Sequence, residues 1–157
     1  MTGPDTLLLR FVDEAAAALV KLLWEQAPAT CDAILDLLPT QGTAHHGIYS
    51  GSECVYLLPN VVRLDDEHAT SEVRKGQVGF TWMAAGSAYG VDADFAEICW
   101  FYDLDAKPRM WEGPVAVNIF GQIVEPADDF YAVCFRMRRE GAKPLVMEVA
   151  TDAEGNR

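Results

Sequence analysis

The alternation of apolar and polar positions along the chain predicts a protein built mainly of β-strands. Five runs have the length and spacing of strands, namely Thr6–Val12, Gly76–Met83, Ala96–Asp103, Pro114–Glu125 and Pro144–Ala150. Both faces of the Ala96–Asp103 run are apolar, which is typical of a central strand.

The middle of the chain predicts a β-hairpin. Its two arms are Thr43–Tyr49 and Glu53–Leu58, and the residues between them, Ser50-Gly51-Ser52, favour a turn. Val61–Leu64 predicts one further short strand. The acidic segment Asp65–His68 that follows is expected to be a solvated loop, and we expect His68 to be solvated with it.

Two segments predict helices. Pro28–Leu38 begins with proline and carries apolar residues at helical spacing before Pro39. Asp128–Glu140 has acidic residues at its start, arginines near its end and Gly141 after it. Ala15–Trp24 stays open, because its alanines and leucines favour a helix while its alternation also fits a strand. Strands in runs with two helical interruptions favour a mostly antiparallel β-barrel or sandwich, and we expect one domain over residues 1–157.

Composition and charge exclude several classes of protein. The chain of 157 residues has a formal net charge of −12 and no cluster of Lys and Arg, which argues against nucleic acid and against an anionic membrane as partners. Its four cysteines are widely spaced in apolar stretches, as free buried thiols are. We find no signal sequence and no long uncharged apolar run, and therefore expect a cytoplasmic protein.

Two segments resemble the cyclophilin family. Ala27–Leu35 is similar to the Pro-x-Thr segment that opens the first cyclophilin helix, and Asn118–Glu125 is similar to the Phe-Gly-x-Val-Val-Glu strand before the second helix. The middle of the chain is closer to small bacterial cyclophilin-like proteins of unknown function, through Ser50–Tyr56 and Phe101-Tyr102-Asp103. The resemblance spans nearly the whole chain in order. It implies a closed or nearly closed antiparallel β-barrel with two capping helices, in which Ala15–Leu23 is a strand.

The resemblance does not extend to the isomerase chemistry of the cyclophilins. In the prolyl isomerases, a strand after the first helix carries Phe-His-Arg, and the arginine stabilises the twisting amide. The corresponding stretch here, Ala44–Ile48, has no arginine, and Val55–Pro59 stands where the family has Gln-Gly-Gly-Asp. A neutral histidine cannot replace the forked donor of arginine. We therefore expect no prolyl isomerase activity.

The hairpin carries the first candidates for ligand binding. His45 and His46 are adjacent on a strand, so they point to opposite faces and cannot bind one metal ion together. One of them is expected to face a pocket or solvent, and the other to pack. Tyr49, Glu53 and Tyr56 lie on the same hairpin. Glu53 is either an exposed rung or an acceptor for a ligand amine or amide.

Three aromatic residues and two polar ones complete the set. Trp82 and Tyr102 are most simply core residues, whereas Trp111 lies in a loop where it can form a lid or a stacking wall. Glu97 and Asn118 have apolar neighbours, and each belongs either to a satisfied structural network or to a pocket. The candidate ligand-binding residues are thus His45, His46, Tyr49, Glu53, Tyr56, Trp82, Glu97, Tyr102, Trp111 and Asn118.

Three hypotheses of function follow. The first is a protein that binds a small polar metabolite or a peptide-like ligand in a surface pocket, without catalysis. The second is a hydrolase or isomerase acting on a cyclic amide or imide, with Glu53 or Glu97 as base and a histidine as acid. The third is a subunit that associates with itself or with a larger enzyme. No phosphate-binding or dinucleotide motif and no metal-ligand spacing is present, so we expect neither cofactor nor metal.

Overall fold

The computed structural model describes residues 3–151. The strands are β1 (Thr6–Phe11), β2 (Ala16–Leu22), β3 (Thr40–His46), β4 (Glu53–Leu57), β5 (Ala69–Thr70), β6 (Gln77–Met83), β7 (Phe95–Phe101), β8 (Arg109–Met110), β9 (Gly113–Pro114), β10 (Val117–Ile123) and β11 (Lys143–Val149). The helices are α1 (Pro28–Leu35) and α2 (Asp128–Glu140).

Eight of these strands form a closed antiparallel barrel. Their order is β2-β1-β11-β3-β4-β7-β6-β10, and β10 pairs back with β2. The short strand β5 pairs with the start of β10, while β8 and β9 form a separate two-stranded ribbon. The prediction of a mostly β, closed antiparallel barrel with two helices is confirmed.

The closure of the barrel depends on a glycine. β10 meets β2 at the pair Gly121 and Leu22. A Cβ atom at Gly121 would lie 2.5 Å from Cγ1 of Val20, closer than two carbon atoms can approach. The Phe-Gly pair in this strand therefore has a packing role, because only glycine lets the two strands come together here.

Apolar residues are buried on both sides of the barrel wall. Ile98 and Trp100 of β7 face the interior, where residues of both helices join the main core. Cys99 and Phe101 face outward and are covered together with Val117 and Ile119 of β10. This confirms the prediction that both faces of the central strand are covered. All four cysteines are buried free thiols.

Ala15–Trp24 forms a strand despite its helix-favouring composition. In β2, every second side chain is buried in the order Ala16, Ala18, Val20 and Leu22. Pairing with both β1 and β10 satisfies the backbone of this segment, so its tertiary surroundings override its intrinsic preference.

Several predicted bounds were wrong, and one predicted strand does not form. The predicted strand Pro114–Glu125 covers only Val117–Ile123. The first helix ends at Leu35 rather than at Leu38, and the first hairpin strand covers Thr40–His46 rather than Thr43–Tyr49. Val61–Leu64 is not a strand. Val62 and Leu64 pack against the core from an extended segment, so their alternation reflects packing without strand pairing. Neither helix of residues 3–151 has the length and apolar character needed to span a membrane.

Candidate functional site

A cavity of about 410 Å³ lies on the outer face of the barrel, against β3, β4, β6 and β7. Loop residues on either side of these strands form its walls. Its lining is mainly apolar and includes Val55, Leu57, Met83, Val91, Phe95 and Val115. A largely apolar cavity with a few polar groups is the usual form of a small-molecule site. We call it the carboxyl cavity, because Glu53 and Glu97 both line it.

The strand register places the two glutamates on one face. Glu53 of β4 lies opposite Phe101 of β7, while Glu97 of β7 lies opposite Leu57 of β4. The pair formed by Val55 and Cys99 lies between these two rungs. Because side chains alternate along a strand, all of these residues project outward, so the carboxyl groups lie at opposite ends of a short apolar floor.

Glu53 is held in place by its neighbours. Only 6% of its surface is exposed, and its carboxyl group interacts with the side chains of Ser50 and Cys99. The backbone N–H of Gly47 donates to its carbonyl oxygen at 2.8 Å. Burial raises the pKa of Glu53 to about 7, even though its hydrogen-bond partners lower it.

Glu97 has no comparable partners. No hydrogen bond from residues 3–151 reaches its carboxyl group, and burial, followed by the charge of Glu53, raises its pKa to about 8. Every fully buried side-chain nitrogen or oxygen atom in the described chain has a partner. Glu97 is partly buried, and its carboxyl oxygens are therefore reached from the cavity.

The two histidines point to opposite sides of β3, as predicted. His45 is exposed and lines the carboxyl cavity. His46 turns towards α2, and its Nε2 atom lies 2.7 Å from the hydroxyl oxygen of Tyr102. Arg138 of α2 donates to the same hydroxyl at 3.0 Å and to Ser52 at 3.0 Å. Burial lowers the pKa of His46, so the neutral ring is favoured.

Two aromatic side chains meet beside the cavity, the half-buried Tyr49 and the exposed Trp111. Trp111 is 68% exposed, and its ring lies 6.3 Å from that of Tyr49. The backbone N–H of Arg109 donates to the Ser50 hydroxyl at 3.1 Å, which ties this loop to the one that precedes Glu53. The guanidinium group of Arg109 donates to the carbonyl oxygens of Met110 and Trp111. Trp111 thus does not line the cavity itself but lies beside Tyr49, which does.

Asn118 belongs to a structural network. Its amide oxygen accepts from the N–H of Glu67, and its amide nitrogen donates to Thr30 and to the carbonyl oxygen of Asp65. The carboxylate of Glu67 accepts from the N–H groups of Ala29 and Thr30 and from the Thr30 hydroxyl. This carboxylate occupies the start of α1, where helix N–H groups are unpaired.

The acidic segment Asp65–His68 is therefore not simply a solvated loop, as its sequence suggested. Burial disfavours ionisation of Glu67, but the hydrogen bonds from Thr30 and Ala29 outweigh it and lower its pKa. His68 contacts the carbonyl oxygen of Ile119 through Nδ1 at 2.8 Å. The segment fastens α1 to β10, which explains why charged residues occur at this point.

Two of the aromatic candidates are structural. Tyr56 is buried inside the barrel, and its hydroxyl lies 3.2 Å from that of Thr40. Trp82 donates to the carbonyl oxygen of Leu64, and the guanidinium of Arg63 lies over its ring at 5.4 Å. The structure thus brings five of the ten candidates to the lining of one cavity, namely His45, His46, Tyr49, Glu53 and Glu97. The other five do not line it: Tyr56, Trp82, Tyr102, Trp111 and Asn118.

Sequence reasoning missed the residues that shape the cavity. A Cβ atom at Gly47 would lie 2.6 Å from Oε1 of Glu53, so this glycine makes room for the carboxyl group. Ser50 was interpreted only as a turn residue, yet it is buried between Glu53 and Arg109. A glycine directly after two histidines was the available signal. No group of three or more potential metal ligands occurs among residues 3–151.

Comparison with known proteins gives a family and two similar folds. The model of a family described as "Protein of unknown function (DUF3830)" matches residues 11–149. The solution structure of the hypothetical protein AF2241 from Archaeoglobus fulgidus is similar over 96% of this chain and 98% of that chain, with 24% identity and a TM-score of 0.59. None of the curated proteins matches the chain.

The structure of McbB in complex with tryptophan is also similar, with a TM-score of 0.67 and 13% identity. The similarity covers 96% of this chain but only 46% of McbB. At these identities, both structures demonstrate a shared fold and nothing about shared chemistry.

Proposed function

The chain belongs to the DUF3830 family, whose function is unknown, and we propose that it binds a small polar metabolite or a peptide-like ligand in the carboxyl cavity. The ligand packs its apolar part on the outer face of β4 and β7. Its polar part forms hydrogen bonds with the carboxyl group of Glu97.

The unpaired carboxyl group of Glu97 carries this proposal. A carboxyl group that opens into a mainly apolar cavity without a protein partner is available to form hydrogen bonds with a ligand. Glu97 lacks one among the described residues, whereas Glu53 in the same cavity interacts with Ser50 and Cys99. A ligand amide or amine at Glu97 would supply the missing partner.

A thermal-shift screen with a metabolite library tests the proposal, and tryptophan belongs in it because McbB is known in complex with it. A ligand at about 100 times its dissociation constant adds about 2.7 kcal/mol to the free energy of unfolding. Glu97→Gln should remove most of the effect, whereas Glu25→Gln, a change at an exposed position, should leave it intact. A library without any stabilising compound would contradict the proposal.

A second candidate function is catalysis on a cyclic amide or imide. The cavity holds two carboxyl groups whose pKa values, about 7 and about 8, suit proton transfer near neutral pH. In this role Glu97 or Glu53 acts as the base, and His45 is the histidine placed to act as the acid. Turnover that persists unchanged in both Glu53→Gln and Glu97→Gln would exclude these assignments.

We also propose that the barrel is of the cyclophilin-like kind but is not a prolyl isomerase. The proposal is supported by the position of α1 after β2 and of α2 after the Phe120-Gly121 strand, in the order that the sequence resemblance implies. His46 occurs where the isomerase motif is interrupted and is engaged by Tyr102. An assay with a Suc-Ala-Pro type peptide should detect no isomerisation above the uncatalysed rate.

A further inference from the structure

A second and larger cavity adjoins the carboxyl cavity. It has a volume of about 650 Å³ and lies between the second half of β6 with the residues that follow it, the start of β10, the segment around Asp66 and the β8–β9 ribbon. Four residues line both cavities, namely Thr81, Met83, Met110 and Val115. The two spaces are thus separated by a ridge of side chains that they share. We call the second space the adjoining cavity.

The charged groups that line the adjoining cavity are all negative. They are Asp66 and Glu112, and no Lys, Arg or His of the described chain lines this space. Glu112 is fixed by the backbone N–H of Tyr89, which donates to its Oε2 atom at 2.8 Å. Two cations contact residues of the lining, but both have partners: Arg63, over the ring of Trp82, is paired with Asp94, and Arg109 donates to the carbonyl oxygens of Met110 and Trp111.

The two cavities therefore favour different chemistry. The carboxyl cavity has apolar walls and a carboxyl group without a partner, which suits a neutral amide within an apolar segment. The adjoining cavity presents two carboxylates without a lining cation, in a chain whose net charge is −12. Carboxylates that face a cavity attract cations and repel anions, so complementarity favours a positively charged group there.

We propose that the ligand is an extended molecule that occupies both cavities, with an apolar, amide-containing segment in the carboxyl cavity and an ammonium or guanidinium group in the adjoining cavity. This inference rests on the proposed function, because it assigns a ligand class to the same site. Met83 and Met110 form the ridge over which the molecule passes. Methionine side chains are flexible, so this ridge can adapt to a chain that crosses it.

Two small probes test the two halves separately. δ-Valerolactam is a neutral cyclic amide, and n-butylguanidinium is a cation with a short apolar tail. Backbone-amide NMR titration should locate the lactam at β4 and β7 near Glu97, and the guanidinium near Asp66 and Glu112. Both probes should bind together. Butyrate, an anion of similar size, should shift neither set of resonances.

Matched variants separate this inference from the proposed function. The double variant Asp66→Asn/Glu112→Gln should weaken n-butylguanidinium binding about tenfold or more and leave the lactam unaffected, whereas Glu97→Gln should do the reverse. If the lactam binds and the guanidinium does not, the inference about the adjoining cavity is wrong and the proposed function stands. If the lactam fails to bind near Glu97, the proposed function is contradicted.

A linked molecule tests whether one ligand spans both spaces. N-Acetyl-leucyl-agmatine joins an apolar amide to a guanidinium group, and N-acetyl-leucyl-pentylamide is its uncharged counterpart. The charged molecule should bind at least about tenfold more tightly than the uncharged one and than n-butylguanidinium alone. Equal affinities of the charged and uncharged molecules would overturn the inference, as would displacement of one probe by the other.

Discussion

Glu67 and Glu97 are both partly buried glutamates, but their surroundings shift their pKa values in opposite directions. Glu67 accepts hydrogen bonds from two backbone N–H groups and one hydroxyl at the start of α1, which lowers its pKa. Glu97 receives no hydrogen bond within the described chain, and burial raises its pKa to about 8. The number of available donors therefore distinguishes a carboxylate that fastens the fold from one that has no partner among the described residues.

The largest loss of stability is expected when Glu67, the carboxylate at the start of α1, is replaced. Glu67→Ala removes three hydrogen bonds to a charged acceptor and leaves two helix N–H groups without their partner. We expect the free energy of unfolding to fall by about 2–3 kcal/mol, measured by urea denaturation. Asp66→Ala is the matched control, because this neighbouring residue is exposed, and it should cost less than about 0.5 kcal/mol. Equal losses of stability in Glu67→Ala and Asp66→Ala would contradict the prediction that the hydrogen bonds of Glu67 stabilise the fold.

A pH titration of stability sharpens the comparison at Glu97. Between the ordinary pKa of a glutamate and its raised value of about 8, the folded chain retains a proton that the unfolded chain has released. The free energy of unfolding therefore falls as the pH rises through this range. Relative to Glu97→Gln, the wild-type chain should lose about 2 kcal/mol between about pH 5 and pH 6.5.

The difference between the two proteins is the informative quantity in this experiment. Other groups also make the free energy of unfolding depend on pH, but they do so equally in wild type and in Glu97→Gln. Burial lowers the pKa of His46, so stability rises with pH below the ordinary pKa of histidine. The raised pKa of Glu53 makes stability fall with pH, as that of Glu97 does. Glu25→Gln serves as the control and should follow the wild-type curve. Parallel curves for wild type and Glu97→Gln would show that the Glu97 carboxyl group is as accessible to water as an ordinary surface glutamate.

A smaller loss of stability is expected at Gly47, whose backbone lies against the carboxyl group of Glu53. Gly47→Ala places a Cβ atom 2.6 Å from Oε1 of Glu53, so the carboxyl group must move. We expect a loss of about 1–2 kcal/mol in chemical denaturation. Because the clash is with Glu53, the loss should shrink in a Glu53→Ala background, as a double-mutant cycle would show. An unchanged loss in that background would place the strain elsewhere.

The smallest effect on stability is expected at Trp111, beside the carboxyl cavity. Trp111 is 68% exposed, so Trp111→Ala should change the free energy of unfolding by less than about 0.5 kcal/mol. The same variant should weaken the binding of a ligand found in the thermal-shift screen, because the ring lies beside Tyr49, which lines the carboxyl cavity. A stability loss above about 1.5 kcal/mol would instead make Trp111 a packing residue.

Most of the barrel could be predicted from the sequence, because the alternation of apolar and polar residues within each strand is a local pattern. Alternation identified seven strands of the barrel, and the acidic start, basic end and Gly141 defined α2 with its correct bounds. The segment Ala15–Trp24 needed the family resemblance, since the choice between helix and strand depends on the partners β1 and β10, which lie elsewhere in the chain.

The site could be predicted only in part because it depends on contacts distant in sequence. Glu97 and Asn118 looked alike, each a polar residue in an apolar strand, yet Asn118 is satisfied by Thr30, Asp65 and Glu67. No local pattern shows that Glu67 reaches the start of α1, 37 residues away from Thr30. The cavity itself depends on loops around Gly47, Val91 and Arg109, whose packing strand alternation does not describe.

The pairing of β2 with β10 limits how this protein can meet a partner. Since β10 pairs back with β2, the ring of eight strands is closed and has no terminal strand. An extended peptide cannot lengthen the ring as an added strand, and two copies cannot polymerise edge to edge through it. Recognition must instead use side chains on the outer wall and the loops, which makes affinity sensitive to single substitutions there.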